Sequence, residues 1–195
     1  MAIDMNLVKQ LRERSSVGFA DCKSALEESK GDIEKAYEIL RKKGIAKLSK
    51  RSDKTSEHGW IGTYLHNGQL LGLAIVMSET DFVSQGKDFQ EFAKELAMQV
   101  ASQNPTYIKI EDVPADVLAK EKAIYVEEVK KTGKPQNIAE KIAEGKLSKF
   151  YEEVVLMEQP WIKDNSKKIK DLYNEMLAKL GEKIVISRIE RITVS

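Results

Sequence analysis

The stretch from Gln69 to Val83, Gln-Leu-Leu-Gly-Leu-Ala-Ile-Val-Met-Ser-Glu-Thr-Asp-Phe-Val, constrains the fold of this chain more than any other. Its first half is a run of aliphatic residues broken only by Gly72, long enough for a strand and too short for a membrane span. Both alternating sets are apolar: Leu71, Leu73, Ile75 and Met77 fall on one face, Leu70, Ala74 and Val76 on the other. Such a strand expects cover on both sides. Upstream, Trp60 to His66 followed by Asn67-Gly68 reads as its hairpin partner, because both turn residues tolerate the positive φ of a type I′ turn. A third strand is expected far along the chain, at Lys183 to Val194.

Helices can cover one face of that sheet. Phe89, Phe92, Ala93, Leu96, Ala97 and Val100 form a stripe that ends at Asn104-Pro105, with Asp88 and Glu91 as a capping-box-like start. Further helices are expected from Ala115 to Thr132 (ended by Gly133), from Pro135 through Ile138 and Ile142 towards Val154 (stopped by Pro160), and after Ser166 as a cap, ending at Gly181. The chain lacks the strands for a second sheet over the other face. A homodimer with sheet packed on sheet is the economical solution.

The first 45 residues read differently. Leu7, Val8 and Leu11 mark one short helix; Phe19, Cys22, Ala25 and Leu26 face inward on a second; Ile33, Ala36, Tyr37 and Leu40 mark a third, capped by Asp32 and closed by Gly44. The Gly-aromatic turn Val17-Gly18-Phe19 resembles the hydrophobic loop of ubiquitin-associated domains. Beyond it, Arg41, Lys42, Lys43, Lys47, Lys50, Arg51 and Lys54 face a single acid, Asp53. That run reads as a solvated basic linker in preference to an RNA stripe, since no aromatic ring is interleaved for base stacking. The expected fold class is α+β. It divides into a three-helix ubiquitin-associated-like module at 1–45, a basic linker at 46–57, and a core at 58–195 of a small antiparallel three-stranded sheet covered by helices, which carries dimerisation and partner binding.

Composition narrows the function classes. With 42% hydrophobic and 32% charged residues, the chain has both a core and a well-solvated surface, and a net charge of +1 implies neither a nucleic-acid coat nor an acidic tail. One cysteine, Cys22, excludes an intramolecular disulfide framework and fits a reducing compartment. No apolar signal core or membrane-length span is found, so a soluble cytoplasmic protein is expected, or an organellar one without its transit peptide. Chemistry is thin. There is no phosphate-binding Gly-x-x-x-x-Gly-Lys loop, no dinucleotide turn and no Cys/His cluster with zinc spacing, so no cofactor and no metal are expected. His58 and His66 lack a nearby thiol, and Cys22 sits on an apolar helix face. A binding protein fits better than an enzyme.

That leaves Thr80-Asp81-Phe82-Val83, where a strand hands over to a short turn bearing one carboxylate and one aromatic ring. On spacing alone two roles stand open: Thr80 as an N-cap with Phe82 and Val83 in the core, or a binding tip held out by a scaffold. The segments Leu7 to Arg14, Asp21 to Glu28, Glu79 to Val83, Ala97 to Ala101 with Asn104-Pro105, Ile138 to Gly145 and Glu158 to Pro160 resemble translation elongation factor Ts, in order along nearly the whole chain. The length resembles the family's short members, which carry one core module and are thought to act as dimers.

The resemblance implies a guanine-nucleotide exchange factor for elongation factor Tu that promotes GDP release. It implies that Thr80, Asp81, Phe82 and Val83 disturb the magnesium-binding side of the partner's nucleotide pocket, and that Arg12, Gly18 and Phe19 meet a helix of the partner. Where the family commonly has Thr-Gly-Ala-Gly-Met-Met, this chain has Ser15-Ser-Val-Gly-Phe-Ala20; Phe19 replaces a methionine as an apolar anchor, and Ala20 offers less contact. Three rival readings are an adaptor built on the N-terminal helices, an RNA-binding factor using the basic run, and a hydrolase using His66 and Asp81.

Overall fold

Asn67 and Gly68 adopt positive φ values of 51° and 68°, and the Gln69 N–H donates to the His66 carbonyl at 3.0 Å. The expected hairpin therefore forms, joining β1 (His58–His66) to β2 (Leu70–Ser78). β5 (Ile184–Thr193) pairs on the far side of β2, giving a three-stranded antiparallel sheet in the order β1-β2-β5. The computed structural model describes residues 4–15, 17–49, 55–130 and 136–194, and of these the backbone alone at 44–49, 130 and 136–140. The class is α+β, with three N-terminal helices followed by the sheet and its helices.

β2 buries Gly72, Ala74, Val76 and Ser78 on one side and leaves Leu71, Leu73, Ile75 and Met77 half-buried on the other. The two faces have different tasks. A Cβ on Gly72 would stand 2.1 Å from the Ala97 carbonyl oxygen and 2.8 Å from the Ala101 Cβ; one on Gly62 would stand 2.1 Å from the Ala93 carbonyl oxygen. The glycines thus let the backbone of α5 (Lys87–Gln103) lie directly on the strands. Its alanines at 93, 97 and 101, four residues apart, form the contacting ridge. Phe89, Phe92, Leu96 and Val100 are fully buried beside them, each side chain adding roughly 2 kcal/mol of burial free energy.

The chain divides into two compact units, and all three strands of the sheet contribute to both. The first comprises Met1–Ile61, Ile75–Phe92 and Asp171–Ser187. In it α1 (Met5–Ser15), α2 (Phe19–Glu28) and α3 (Ile33–Ser49) enclose a small core of Val8, Leu11, Cys22, Ala25, Leu26, Ala36 and Leu40. Asp32 caps α3 as expected, its Oδ1 accepting from the Glu34 and Lys35 N–H groups at 3.1 Å. Gly44 does not close that helix, which continues to Ser49. Residues 50–54 of the expected linker lie outside the described residues. Arg41 of α3 donates to the Asp171 carboxylate at 2.7 Å, tying the N-terminal helices to α8 (Ile169–Leu180).

The second unit comprises Gly62–Ala74, Ala93–Lys170 and Arg188–Ser195. It holds α6 (Ala115–Lys130) against α7 (Gln136–Val154). The expected ends at Thr132, Gly133 and Pro135 fall outside the described residues. A second, two-stranded sheet follows, β3 (Pro160–Trp161) with β4 (Asp164–Lys168). Ser166, expected to cap the last helix, belongs to β4 instead: its N–H and hydroxyl both donate to Asp164 Oδ1, which serves the hairpin. Asp88 likewise lies inside the first turn of α5 and pairs with Lys179 at 2.7 Å instead of capping. Burial pushes the Glu158 carboxyl up, but hydrogen bonds from Lys170 and Lys168 outweigh it and hold the group below its ordinary range.

Candidate functional site

β2 ends at Ser78, which is fully buried, and its hydroxyl donates to the Thr80 carbonyl at 2.8 Å. The chain then makes the single-turn helix α4 (Asp81–Ser84), with Thr80 as N-cap in an extended conformation. The Thr80 hydroxyl oxygen accepts from the Val83 N–H at 3.4 Å, and the Ser84 hydroxyl donates to the Asp81 carbonyl at 2.9 Å. Successive residues step about 100° around a helix, so four residues split cleanly into two sides. Val83 and Ser84 turn inward and are buried. Asp81 and Phe82 turn outward, and Phe82 is 86% exposed. Of the two roles left open by spacing, Thr80 does cap and Val83 does enter the core, but the ring does not.

A second layer holds this turn from behind. Between α8 and β5, Glu182 accepts two hydrogen bonds from Thr80, from its N–H at 3.1 Å and from its hydroxyl at 2.8 Å. One residue on, the Lys183 N–H donates to Glu79 Oε1 at 2.9 Å. Neither tie was legible in the sequence. Thr80 and Glu182 stand far apart in the chain, and nothing in Gly181-Glu182-Lys183 separates a clamp from an ordinary solvated turn.

The N-terminal candidates lie together where α1 passes into α2. Arg12 is exposed near the end of α1, Gly18 precedes the first turn of α2, and Phe19 opens it. Phe19 was expected inward with Cys22, Ala25 and Leu26, yet it is 42% exposed while those three are fully buried. Buried Ser15, 3.6 Å from the Cys22 sulfur, and half-buried Val17 pack at the inner side of this junction instead. Nearby, Arg14 pairs with Glu34 at 2.5 Å and lies over the Tyr37 ring at 4.6 Å from its centroid. The hydrogen bond to Glu34 raises the arginine above its ordinary value, and Arg14 holds the Glu34 carboxyl below its own.

α8 links the two groups of candidates. Asp171 near its start takes Arg41 of the N-terminal helices, and Glu182 just past its end takes Thr80 of the tip. The helix between them has 12 residues and spans about 18 Å. His66, by contrast, sits beside the hairpin turn with the Tyr64 hydroxyl 3.1 Å from its Nδ1. It precedes β2 and Asp81 follows it, so all of that strand lies between the two residues of the hydrolase reading. Cys22 is buried, its sulfur 3.5 Å from the Val17 carbonyl. Among the described residues, no group of three or more His, Cys, Asp or Glu is arranged to hold a metal ion, and no helix is long and apolar enough to cross a membrane.

Comparison with known proteins gives one answer. The family profile described as "Elongation factor TS" matches residues 6–176. An elongation factor Ts of Thermotoga sp. (strain RQ2) is 51% identical over 192 residues, covering 98% of this chain and 96% of that relative. One from Maridesulfovibrio salexigens is 48% identical over 196 residues, covering 100% and 95%. One from Thermotoga neapolitana is 50% identical over 195 residues, covering 100% and 98%.

The chain belongs to the elongation factor Ts family. Its role is therefore in translation elongation. Within the family frame the exposed Phe82 and Asp81 stand on Glu79 to Val83 and Arg12 on Leu7 to Arg14, two of the segments that carried the resemblance. Gly18 and Phe19 stand in the Ser15 to Ala20 stretch, where α1 passes into α2.

Proposed function

We propose that this protein is a guanine-nucleotide exchange factor that binds elongation factor Tu·GDP, disturbs the magnesium and phosphate site of that GTPase, and so promotes GDP release. The observation that carries the reading is the Phe82 ring, 86% exposed on a turn whose other side, Val83 and Ser84, is anchored in the core. An exposed phenylalanine on a fixed turn costs its own fold and gains free energy only when a partner covers it. Asp81 beside it brings a carboxylate to the same partner surface. Arg12, Gly18 and Phe19 form the second contact, made by the N-terminal module of residues 1–45 and joined by residues 46–57 to a core of 58–195.

No covalent step is needed. GDP is held by phosphate and magnesium contacts, and a factor that prefers the empty GTPase must weaken GDP by the same coupling free energy, because linkage is reciprocal. A thousandfold loss of GDP affinity needs about 4 kcal/mol of differential binding. A buried aromatic anchor plus a second contact supplies that order of magnitude. The protein therefore acts by binding and not as an enzyme, in the cytoplasm, with no cofactor and no direct nucleic-acid contact. It works as a homodimer joined through the open face of the sheet, whose half-buried aliphatic residues support that assembly.

The test is release of fluorescent GDP from preloaded elongation factor Tu. The protein should accelerate release strongly. Phe82→Ala should slow that stimulated release at least about tenfold, while its stability stays within about 0.5 kcal/mol because the ring is exposed. Unchanged stimulation by Phe82→Ala would refute the assignment of the tip.

A further inference from the structure

A helix of four residues cannot hold its own geometry, since nucleation is the costly step and the first N–H groups have no partner within the turn. The direction of Phe82 must therefore be set from outside α4. We infer that Glu182 is the positioning residue of the Phe82 tip, with its carboxylate fixing Thr80 so that the ring is presented in one orientation. This rests on the reading of Phe82 as the group that engages the GTPase.

The geometry is specific. A threonine hydroxyl has one proton and two lone pairs. Donating the proton to Glu182 Oε1 at 2.8 Å leaves the lone pairs for the Val83 N–H at 3.4 Å, so the carboxylate selects the side-chain orientation in which Thr80 caps α4. The second carboxylate oxygen takes the Thr80 N–H at 3.1 Å, which fixes the backbone at the same residue. The Thr80 carbonyl is held by the Ser78 hydroxyl at 2.8 Å. In return, Glu79 takes the Lys183 N–H at 2.9 Å, so the end of β2 and the start of β5 clamp one another reciprocally. Bonds with an ionised acceptor are the strong members of such a set. The Glu182 bonds are made to Thr80, two residues before the ring, and so Glu182 acts on Phe82 through placement. A ring ordered before encounter gives up less conformational freedom when the partner closes on it.

The experiment is stimulated GDP release from elongation factor Tu, titrated with wild type, Glu182→Ala, Glu182→Gln, Phe82→Ala and the Glu182→Ala/Phe82→Ala double variant. Glu182→Ala should lower the saturating release rate about tenfold, with the half-saturating concentration within about twofold, because contacts away from the tip remain. Glu182→Gln, which keeps one acceptor oxygen and the side-chain volume, should fall between Glu182→Ala and wild type. The double variant should be no slower than Phe82→Ala alone, the signature of two residues acting as one unit. The Val83 amide should exchange with solvent faster in Glu182→Ala than in wild type. If Glu182→Ala loses its folded far-UV spectrum, Glu182→Gln decides, and a wild-type release rate from it overturns the inference. A rate loss from Glu182→Ala that is as large in the Phe82→Ala background also overturns it, as does no loss at all. An unaffected Phe82→Ala overturns the parent reading and the inference with it; a slowed Phe82→Ala beside an unaffected Glu182→Ala overturns the inference alone.

Discussion

Gln99 is fully buried in an otherwise apolar stripe of α5, and its side chain bonds a small hairpin and the glutamine that precedes it. Its Nε2 donates to Gln159 Oε1 at 3.1 Å and to the Pro160 carbonyl at 3.0 Å, and its Oε1 accepts from the Ile162 N–H at 3.0 Å. Gln159, also buried, passes its own Nε2 to the Glu153 carbonyl at 3.0 Å. A buried network of this kind is costly to break, since each buried group left alone costs about 1–3 kcal/mol. Gln99→Leu keeps the volume and orphans the Ile162 N–H together with two acceptors. Urea denaturation should then show a stability loss of about 2–4 kcal/mol with an unchanged m-value; a loss below about 1 kcal/mol would mean that the hairpin finds other partners. The sequence offered only a hint of this. Gln99 and Gln159 both lie in segments that carried the family resemblance, but pairing two glutamines 60 positions apart needs the fold. Phe82 shows the same limit from the other side, because a phenylalanine beside a valine in a short turn has the same spacing whether it points in or out.

At the scale of elements, hydrophobic period is legible in the sequence where one face of the element is buried. Punctuation is legible only in part, since Gly44 and Asp88 do not end or cap their helices. The hairpin turn, the alternation of β2, the α5 stripe and the N-cap at Asp32 all follow from local chemistry. β3 and β4 did not, because Asp164 to Lys168 carries no apolar alternation and the hairpin is held by Gln99 from outside. The glycines divide along the same line. Gly72 admits the α5 backbone, where an added methyl would stand 2.1 Å from a carbonyl oxygen that cannot move without its helix. Gly145 lies inside α7 with nothing within 4 Å of an added Cβ. Gly72→Ala should therefore destabilise by about 3 kcal/mol or more, whereas Gly145→Ala should stabilise by about 0.5–1 kcal/mol through helix propensity alone. Thermal melts of the two variants should move in opposite directions. A common direction would show that α5 does not lie on the strands as closely as these distances require.

Across the whole molecule, what distinguishes the sheet is the difference between its faces. The side bearing Gly72, Ala74, Val76 and Ser78 is buried, with α5 lying on it at Gly72, while the side bearing Leu71, Leu73, Ile75 and Met77 is only half-buried. On β1, Ile61 is 56% and Leu65 62% exposed. Exposed aliphatic residues on β1 beside a half-covered apolar row on β2 mark a surface that a second apolar sheet can complete, at the roughly 10 Å spacing of packed sheets. On the proposed assembly that second sheet belongs to another copy of the chain, and a self-complementary face closes as a two-fold dimer. Sedimentation equilibrium should return twice the chain mass at micromolar concentration. Ile61→Glu with Leu65→Glu should shift the protein to monomer, since two carboxylates would then be buried without partners at the interface. Because both positions are largely exposed within one copy, the variant should keep its far-UV spectrum, so loss of association can be told from loss of fold. A wild-type chain that sediments as a monomer throughout, or a doubly charged variant that stays dimeric, would remove the sheet face from the assembly and leave the exposed row on β1 without an occupant.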